Sequence, residues 1–468
     1  MRFSLLFTIC ISLFFIPASW AYKKDKVYKI TVLHTSDVHG HFMANSHGEG
    51  GMAAQHTLVE RIRAEVKKNK GHLLILSSGD FNTGTPESDM QNGMPDIKGM
   101  NLIGYDAAVI GNHEFDKPLK VLFKQREWAK FPLLSANIEN KHGKNLPFTP
   151  FVLKEFGDLK VVLIGFTTPD TPVLTLPANS RNFKFIAPSI VAKKRLPSIT
   201  KVSDVVFAIT HLGFYRGGKY GGSAPGDVVL ARKTKGIDAI FGGHTHTMLK
   251  KPAKIKGTYI MHSGEHGLYM GRSNFQFVNG KLKLVSYKNI PINKKKKIKK
   301  NGKKVRVFVE KEIVQSKKML KLIDPFIAEG KKLLDIPLAQ TEVKLVGDRD
   351  IIRKTETNLG NLITLVMKEK AKSDIAITNS GGIRASIDSG EISYRDILKV
   401  HPFGNTICTV KLTGGGVLKY FNELLKFKPG EGGFPHISGV RLSVKKGKIS
   451  SIYVNGKRVK KRGIYTLT

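Results

Sequence analysis

The chain is short of cysteine, tryptophan and acidic residues. Its 468 residues include two cysteines and two tryptophans, and 37 Asp and Glu stand against 77 Lys and Arg. Cys10 falls in the apolar opening run, so Cys408 is the lone thiol beyond it. That excludes an internal disulfide framework and a thiolate metal cage. A small buried hydrophobe is the expectation for Cys408. The shortage of acid leaves a formal charge of +40. Such a chain attracts anions in general, but its lysines are spread along the whole length. The densest run, Lys294 to Lys297 with Lys299, Lys300, Lys303 and Lys304, surrounds Asn301-Gly302, a hairpin-turn pair. Aromatics are not interleaved there, so a solvated hairpin is expected rather than a specific nucleic-acid site.

Past the first residues no segment is apolar enough to cross a bilayer. The opening itself has Arg2, an apolar run from Phe3 to Ile16, and Pro17-Ala18-Ser19-Trp20-Ala21. A positive start, a short apolar stretch and small residues predict a secretory leader over 1–21, cut after Ala21. The expected location of residues 22 onward is periplasmic or secreted, with no membrane contact once the leader is removed. Ile9 before Cys10 is not the small residue that a lipid anchor needs. The remaining length suffices for two domains.

Five short apolar runs in the first 270 residues are each followed at once by metal-type ligands. Ile30 to Leu33 leads to Asp37 and His39, and Leu73 to Leu76 leads to Gly79-Asp80. Ala107 to Ile110 leads to Asn112 and His113, Val205 to Ile209 to His211, and Ala239 to Phe241 to His244 and His246. The runs predict buried strands, with helices such as Met52 to Lys68 and Leu119 to Lys130 between them. Ligands at the carboxyl ends of strands in an α/β sheet can converge on one crevice. Carboxylate oxygen and imidazole nitrogen suit zinc, manganese or cobalt. Seven ligands exceed one tetrahedral ion and fit two ions sharing a carboxylate. A single His-x-His would more often be two satisfied core histidines; five such sets in order are not explained that way. Within Gly111-Asn112-His113-Glu114-Phe115-Asp116, His113 can exchange a proton near neutral pH, and Asp116 can fix its tautomer.

Asp37-x-His39, Gly79-Asp80, Gly111-Asn112-His113-Glu114, His211 and Gly243-His244-x-His246 resemble the motif set of calcineurin-like metallophosphoesterases. The stretches YKITVLHTSDVHGHF and GYDAAVIGNHEFDKPL resemble the bacterial periplasmic 5′-nucleotidase/UDP-sugar hydrolase family over nearly the whole mature chain. The resemblance implies a four-layer αββα sandwich with a second, smaller α/β domain that binds the nucleotide. It implies two divalent ions (Zn, Mn or Co): Asp37, His39, Asp80 and His246 around one, Asp80, Asn112, His211 and His244 around the other. His113, oriented by Asp116, would act on the phosphoryl group or the leaving oxygen. The well-known periplasmic enzyme has Gln where this chain has His246, so metal preference could differ. Hydrolysis of nucleoside 5′-monophosphates and other nucleotides, with UDP-sugars as a further class, is the implied reaction, with small-molecule nucleotides as partners and a monomer as the working state.

The implied boundaries are 22–309 for the catalytic domain, 310–335 for a linker helix and 336–468 for the second domain. Glu310 to Leu334 has helical spacing with a break expected at Pro325. Tyr220 to Val228 is rich in Gly and predicts a loop. In the second domain Arg349, Arg353 and Arg384 offer guanidinium forks suited to phosphate. By resemblance Phe403 would stack on the base and Asn405 would hydrogen-bond it. The family pattern continues past the equivalent of Thr468 into a Gly-Gly-Asp-Gly-aromatic motif, so the second domain is expected to be incomplete here.

Overall fold

The computed structural model describes residues 22–143, 146, 148–215, 226–300 and 303–468. The leader, the Asn301-Gly302 pair and Tyr220 to Pro225 of the expected loop lie outside the described residues.

The apolar runs form strands, but of two sheets rather than one. The first has β1 (Tyr28–Thr35), β2 (His72–Ser77), β3 (Ala107–Val109) and β4 (Leu133–Leu134) in parallel. Tyr269–Val278 and Lys281–Pro291 extend it antiparallel beyond β1. Asn279 and Gly280 join that last pair with φ of 47° and 74°, as a tight hairpin turn demands. The second sheet runs in the order Ala253–Ile255, Thr258–His262, Ala239–Gly242, Val205–His211, Leu159–Thr167, Phe151–Phe156.

Alternation along each strand explains the stacking. Ile30, Val32, Leu74 and Leu76 meet Val161, Leu163, Val205, Phe207 and Phe241 in one core between the sheets. The intervening Leu33 and Ile75 face outward onto helices Met52–Lys68 and Met94–Ile103. Val162, Ile164, Val206 and Ala208 face helices Pro188–Ile199 and Asp227–Lys233 on the other side. Strands buried on both faces read as near-continuous apolar runs, which is why they were visible in sequence. The result is helix, sheet, sheet, helix: a four-layer αββα sandwich.

Helix Lys317–Leu334 runs through Pro325 rather than breaking there, and it starts later than its periodicity suggested. Ser316 caps it by accepting from Met319 N. Met319 and Ile323 anchor it in the outer core of the first sheet. Pro325 removes one backbone bond, and Lys321, whose carbonyl loses its partner, is exposed to water. The smaller second domain follows, with paired short strands, helices Asn358–Ala371 and Gly414–Leu424, and two modest cores around Ile352 and Phe421. Arg395 ties it to the first by pairing with Glu87 and, at 2.7 Å, with Asp335. Cys408 is exposed, not buried. It lies in the irregular segment 404–409, all of which is exposed, so no core is near enough to take it.

Among the described residues no helix is long and apolar enough to cross a membrane.

Candidate metal centre

The carboxyl ends of β1, β2, β3, Val205–His211 and Ala239–Gly242 meet at one end of the sandwich. Backbone bonds continue past the strands and lock the loops together. Asp37 N donates to Gly79 O at 3.1 Å, and His39 N to Asp80 O at 2.9 Å. His244 N donates to Asp37 Oδ1 at 2.8 Å, and His113 N to Asp80 Oδ1 at 3.0 Å. Five of the seven expected ligands, Asp37, His39, Asp80, His244 and His246, hold positive φ between 49° and 87°. Left-handed backbone is rare for residues other than Gly and gathers at functional sites. Glycines give the loops room: a Cβ on Gly111 would sit 2.2 Å from Asp80 Oδ1.

The side chains of all seven come together. Asp37, His39 and His246 can share one cation, as can Asp80, His211 and His244. His39 Nε2 faces His246 Nε2 at 3.0 Å, and Asn112 Oδ1 faces His244 Nδ1 at 2.9 Å. Second ring nitrogens settle two tautomers. His39 Nδ1 donates to Thr83 O at 2.9 Å and His211 Nδ1 to Ser78 O at 2.7 Å. In His39, Nε2 is thereby left as a lone pair pointing at the centre. Burial opposes a charge on the His211 ring, but the Asp80 carboxylate pushes it up to about 10, so its Nε2 carries a proton toward Asp80 that an ion would have to displace.

Electrostatics agree with a cation site. Burial holds His39, His244 and His246 well toward the neutral form, His244 down to about 3. Asp80 is fully buried, which opposes its charge, yet His211, His113 and His39 keep it far below the usual carboxylate range. Asp37 Oδ2 is buried with no hydrogen-bonding partner, and His211 Nε2 meets Asp80 Oδ2 at 2.9 Å. An orphaned buried acceptor of this kind is what a divalent ion satisfies. The donor set therefore fits the metals implied by the sequence.

His113 stands beside the cluster. Its Nδ1 contacts Asp116 Oδ2 at 2.5 Å, and its Nε2 is 4.0 Å from Asp80 Oδ2. Burial opposes a charge on the ring, but the Asp116 and Asp80 carboxylates outweigh it and push it up to about 9.

The second domain reaches this site with three of its five expected residues. Phe403 stacks on His113 with ring centroids 5.5 Å apart and planes at 15°. Arg384 lies over the Phe403 ring at 5.5 Å, and Arg349 Nη1 is 3.3 Å from His246 Nδ1. Arg353 lies elsewhere, against the Gly432 loop, and its carbonyl accepts from Gly430 N at 2.7 Å. Asn405 is exposed, two residues past Phe403.

Sequence reasoning gave Glu114 no role. It is buried and accepts from the backbone N–H of Asp80, Phe81 and Gly111 at 2.7–3.1 Å, joining the loops after β2 and β3. Its place directly after Asn112-His113 was the available signal. Glu265, against His246, was also missed, and nothing in its local sequence marks it.

Comparison with known proteins follows this geometry. Residues 30–248 match the calcineurin-like phosphoesterase family, and residues 337–468 match the 5′-nucleotidase C-terminal domain. A 5′-nucleotidase of Vibrio parahaemolyticus is 43% identical over 466 residues, covering 95% of this chain and 83% of that protein. Protein UshA of Escherichia coli is 42% identical over 461 residues, covering 94% and 84%. The crystal structure of a 5′-nucleotidase precursor from Thermus thermophilus superposes with a TM-score of 0.76 at 27% identity, covering 94% of this chain and 89% of that one. The chain belongs to the 5′-nucleotidase family of calcineurin-like phosphoesterases and is a metal-dependent phosphoester hydrolase.

Proposed function

We propose that the chain is an exported, monomeric hydrolase of nucleoside 5′-monophosphates, with UDP-sugars as a second substrate class, using two divalent ions. Residues 22–309 would carry the chemistry, 310–335 the connection and 336–468 the nucleotide. The observation that carries this reading is the meeting of two ligand clusters, linked through Asp80, with Phe403 and two arginines of the second domain above them.

Asp37, His39, Asp80 and His246 would hold one ion; Asp80, Asn112, His211 and His244 the other. When bound, zinc, manganese or cobalt ions supply positive charge to the phosphoryl oxygens and acidify water near neutral pH. The protein does the rest. His113, held by Asp116, directs Nε2 at the reacting group, where it stabilises developing charge or protonates the leaving ribose oxygen. Arg349 and Arg384 bring guanidinium charge to the phosphate, whereas Arg353, expected to join them, lies against the Gly432 loop in this arrangement. Phe403 offers a flat face to the base, which tolerates any nucleobase, and Asn405 adds a hydrogen bond. The stacking of Phe403 on His113 supports assigning the two residues to one site.

Phosphate release from AMP and from bis(p-nitrophenyl) phosphate, measured on residues 22–468 with added manganese or cobalt, tests the reading. Strong preference for AMP supports it. Equal activity on both would mean a general phosphoesterase without base selection. A folded, metal-loaded protein silent on both would overturn it.

A further inference from the structure

Glu265 lies between the two spans that match family models, outside both. Its Oε2 contacts His246 Nδ1, while His246 Nε2 on the other side of the ring faces His39 Nε2 at 3.0 Å and Asp37 Oδ1 at 3.8 Å. A carboxylate only accepts, so Nδ1 carries the ring proton and Nε2 presents its lone pair to the centre.

The loop bearing Glu265 is fixed on both sides. Gly264 N donates to Thr247 O at 3.0 Å, and Ser36 Oγ donates to Gly264 O at 2.7 Å. His266 N donates to Asp37 O at 2.8 Å. The loop that carries the carboxylate is thus tied to the backbone of another expected ligand. His246 has need of such support. Its φ is 56°, and among the described residues no backbone carbonyl takes its Nδ1 proton in the way Thr83 and Ser78 serve His39 and His211. Arg349 of the second domain approaches the same nitrogen at 3.3 Å. A guanidinium has no acceptor and cannot take that proton. The negative charge of Glu265 beside it offsets a cation that would otherwise disfavour metal loading.

We propose that Glu265 is a positioning residue that fixes the His246 ring with Nε2 toward the metal centre, and so sets the affinity for the ion on the Asp37–His39 side even when Arg349 is docked. The proposal rests on the two-ion reading above. Outer carboxylates that orient a ligating His are worth about 10–100-fold in metal affinity.

The test is Zn²⁺ affinity of residues 22–468, by competition with a chromophoric chelator, for Glu265→Ala and Glu265→Gln in wild-type and His246→Gln backgrounds. Glu265→Ala should weaken one of two ions about 10–100-fold, with Glu265→Gln, which keeps a neutral acceptor, in between. In His246→Gln, which has no second ring nitrogen, Glu265→Ala should change nothing. Unchanged affinity in the wild-type background would overturn the proposal, as would an equal loss in both, which would mark a structural role. If Glu265→Ala does not fold, the nearly isosteric Gln variant gives the same comparison. Failure of the two-ion reading would show separately, as wild-type protein binding fewer than two ions.

Discussion

His113→Ala, Asp116→Asn and the double variant form a cycle that tests the proposed proton handling. The two side chains share a partly buried contact of 2.5 Å. A charge-assisted hydrogen bond of that kind contributes about 1.5–3 kcal/mol. At ~1.4 kcal/mol per decade, Asp116→Asn should lower kcat on AMP by about 10- to 150-fold. Loss of a positioned acid should cost His113→Ala about 10²–10⁴-fold. Asp116 acts on substrate only through His113, so the double variant should be no slower than His113→Ala alone. The assay is phosphate release at saturating AMP, with metal content measured on the same preparations. A double variant slowed by the product of the two single effects would refute the reasoning. So would metal loss in His113→Ala, because it would make His113 a ligand.

Phe403→Ala should raise KM for AMP by about 5- to 150-fold, from a stacking contribution of about 1–3 kcal/mol, and leave hydrolysis of bis(p-nitrophenyl) phosphate unchanged. Gly111→Ala would place a Cβ 2.2 Å from Asp80 Oδ1; chelator competition should show weakened metal binding while far-UV circular dichroism stays native. Asp96 is buried with Ser88 Oγ at 2.5 Å, and burial pushes its carboxyl up to about 8. A folded pKa above the unfolded one means that this group's contribution is complete below the unfolded carboxylate range of about 4 and is lost as pH rises through 8. Urea unfolding should therefore show Asp96→Asn gaining on wild type by about 4 kcal/mol between about pH 5 and 8.5, and parallel profiles would contradict it.

The candidate metal site was legible because each expected ligand follows closely on a strand whose burial on both faces makes it an unbroken apolar run. Leu74, Ile75 and Leu76 announce β2, and Asp80 follows four residues later. That three of the five strand ends belong to one sheet and two to another was not readable from spacing, since both sheets produce the same kind of run. Pro325 misled because local chemistry predicts a break, while Met319 and Ile323 pack well enough to carry the helix past one missing bond. Cys408 misled because residue type is a prior for burial, and only tertiary structure reveals that 404–409 has nothing to pack against. Glu265 was invisible because its partner is 19 positions away and its meaning depends on which ring nitrogen of His246 it meets.

The two sheets contribute unequally to the ligand cluster, and neither contains either half of it. Asp37, His39, Asp80 and Asn112 follow strands of the first sheet; His211, His244 and His246 end or follow strands of the second. Each proposed ion would therefore be a cross-link between layers as well as a reagent. Loading and the cohesion of the sandwich become one equilibrium: free metal at about 100 times its Kd adds about 2.7 kcal/mol per ion to folding. A cell short of metal would hold a looser, more protease-sensitive form of this chain, so metal supply would govern its lifetime as well as its turnover.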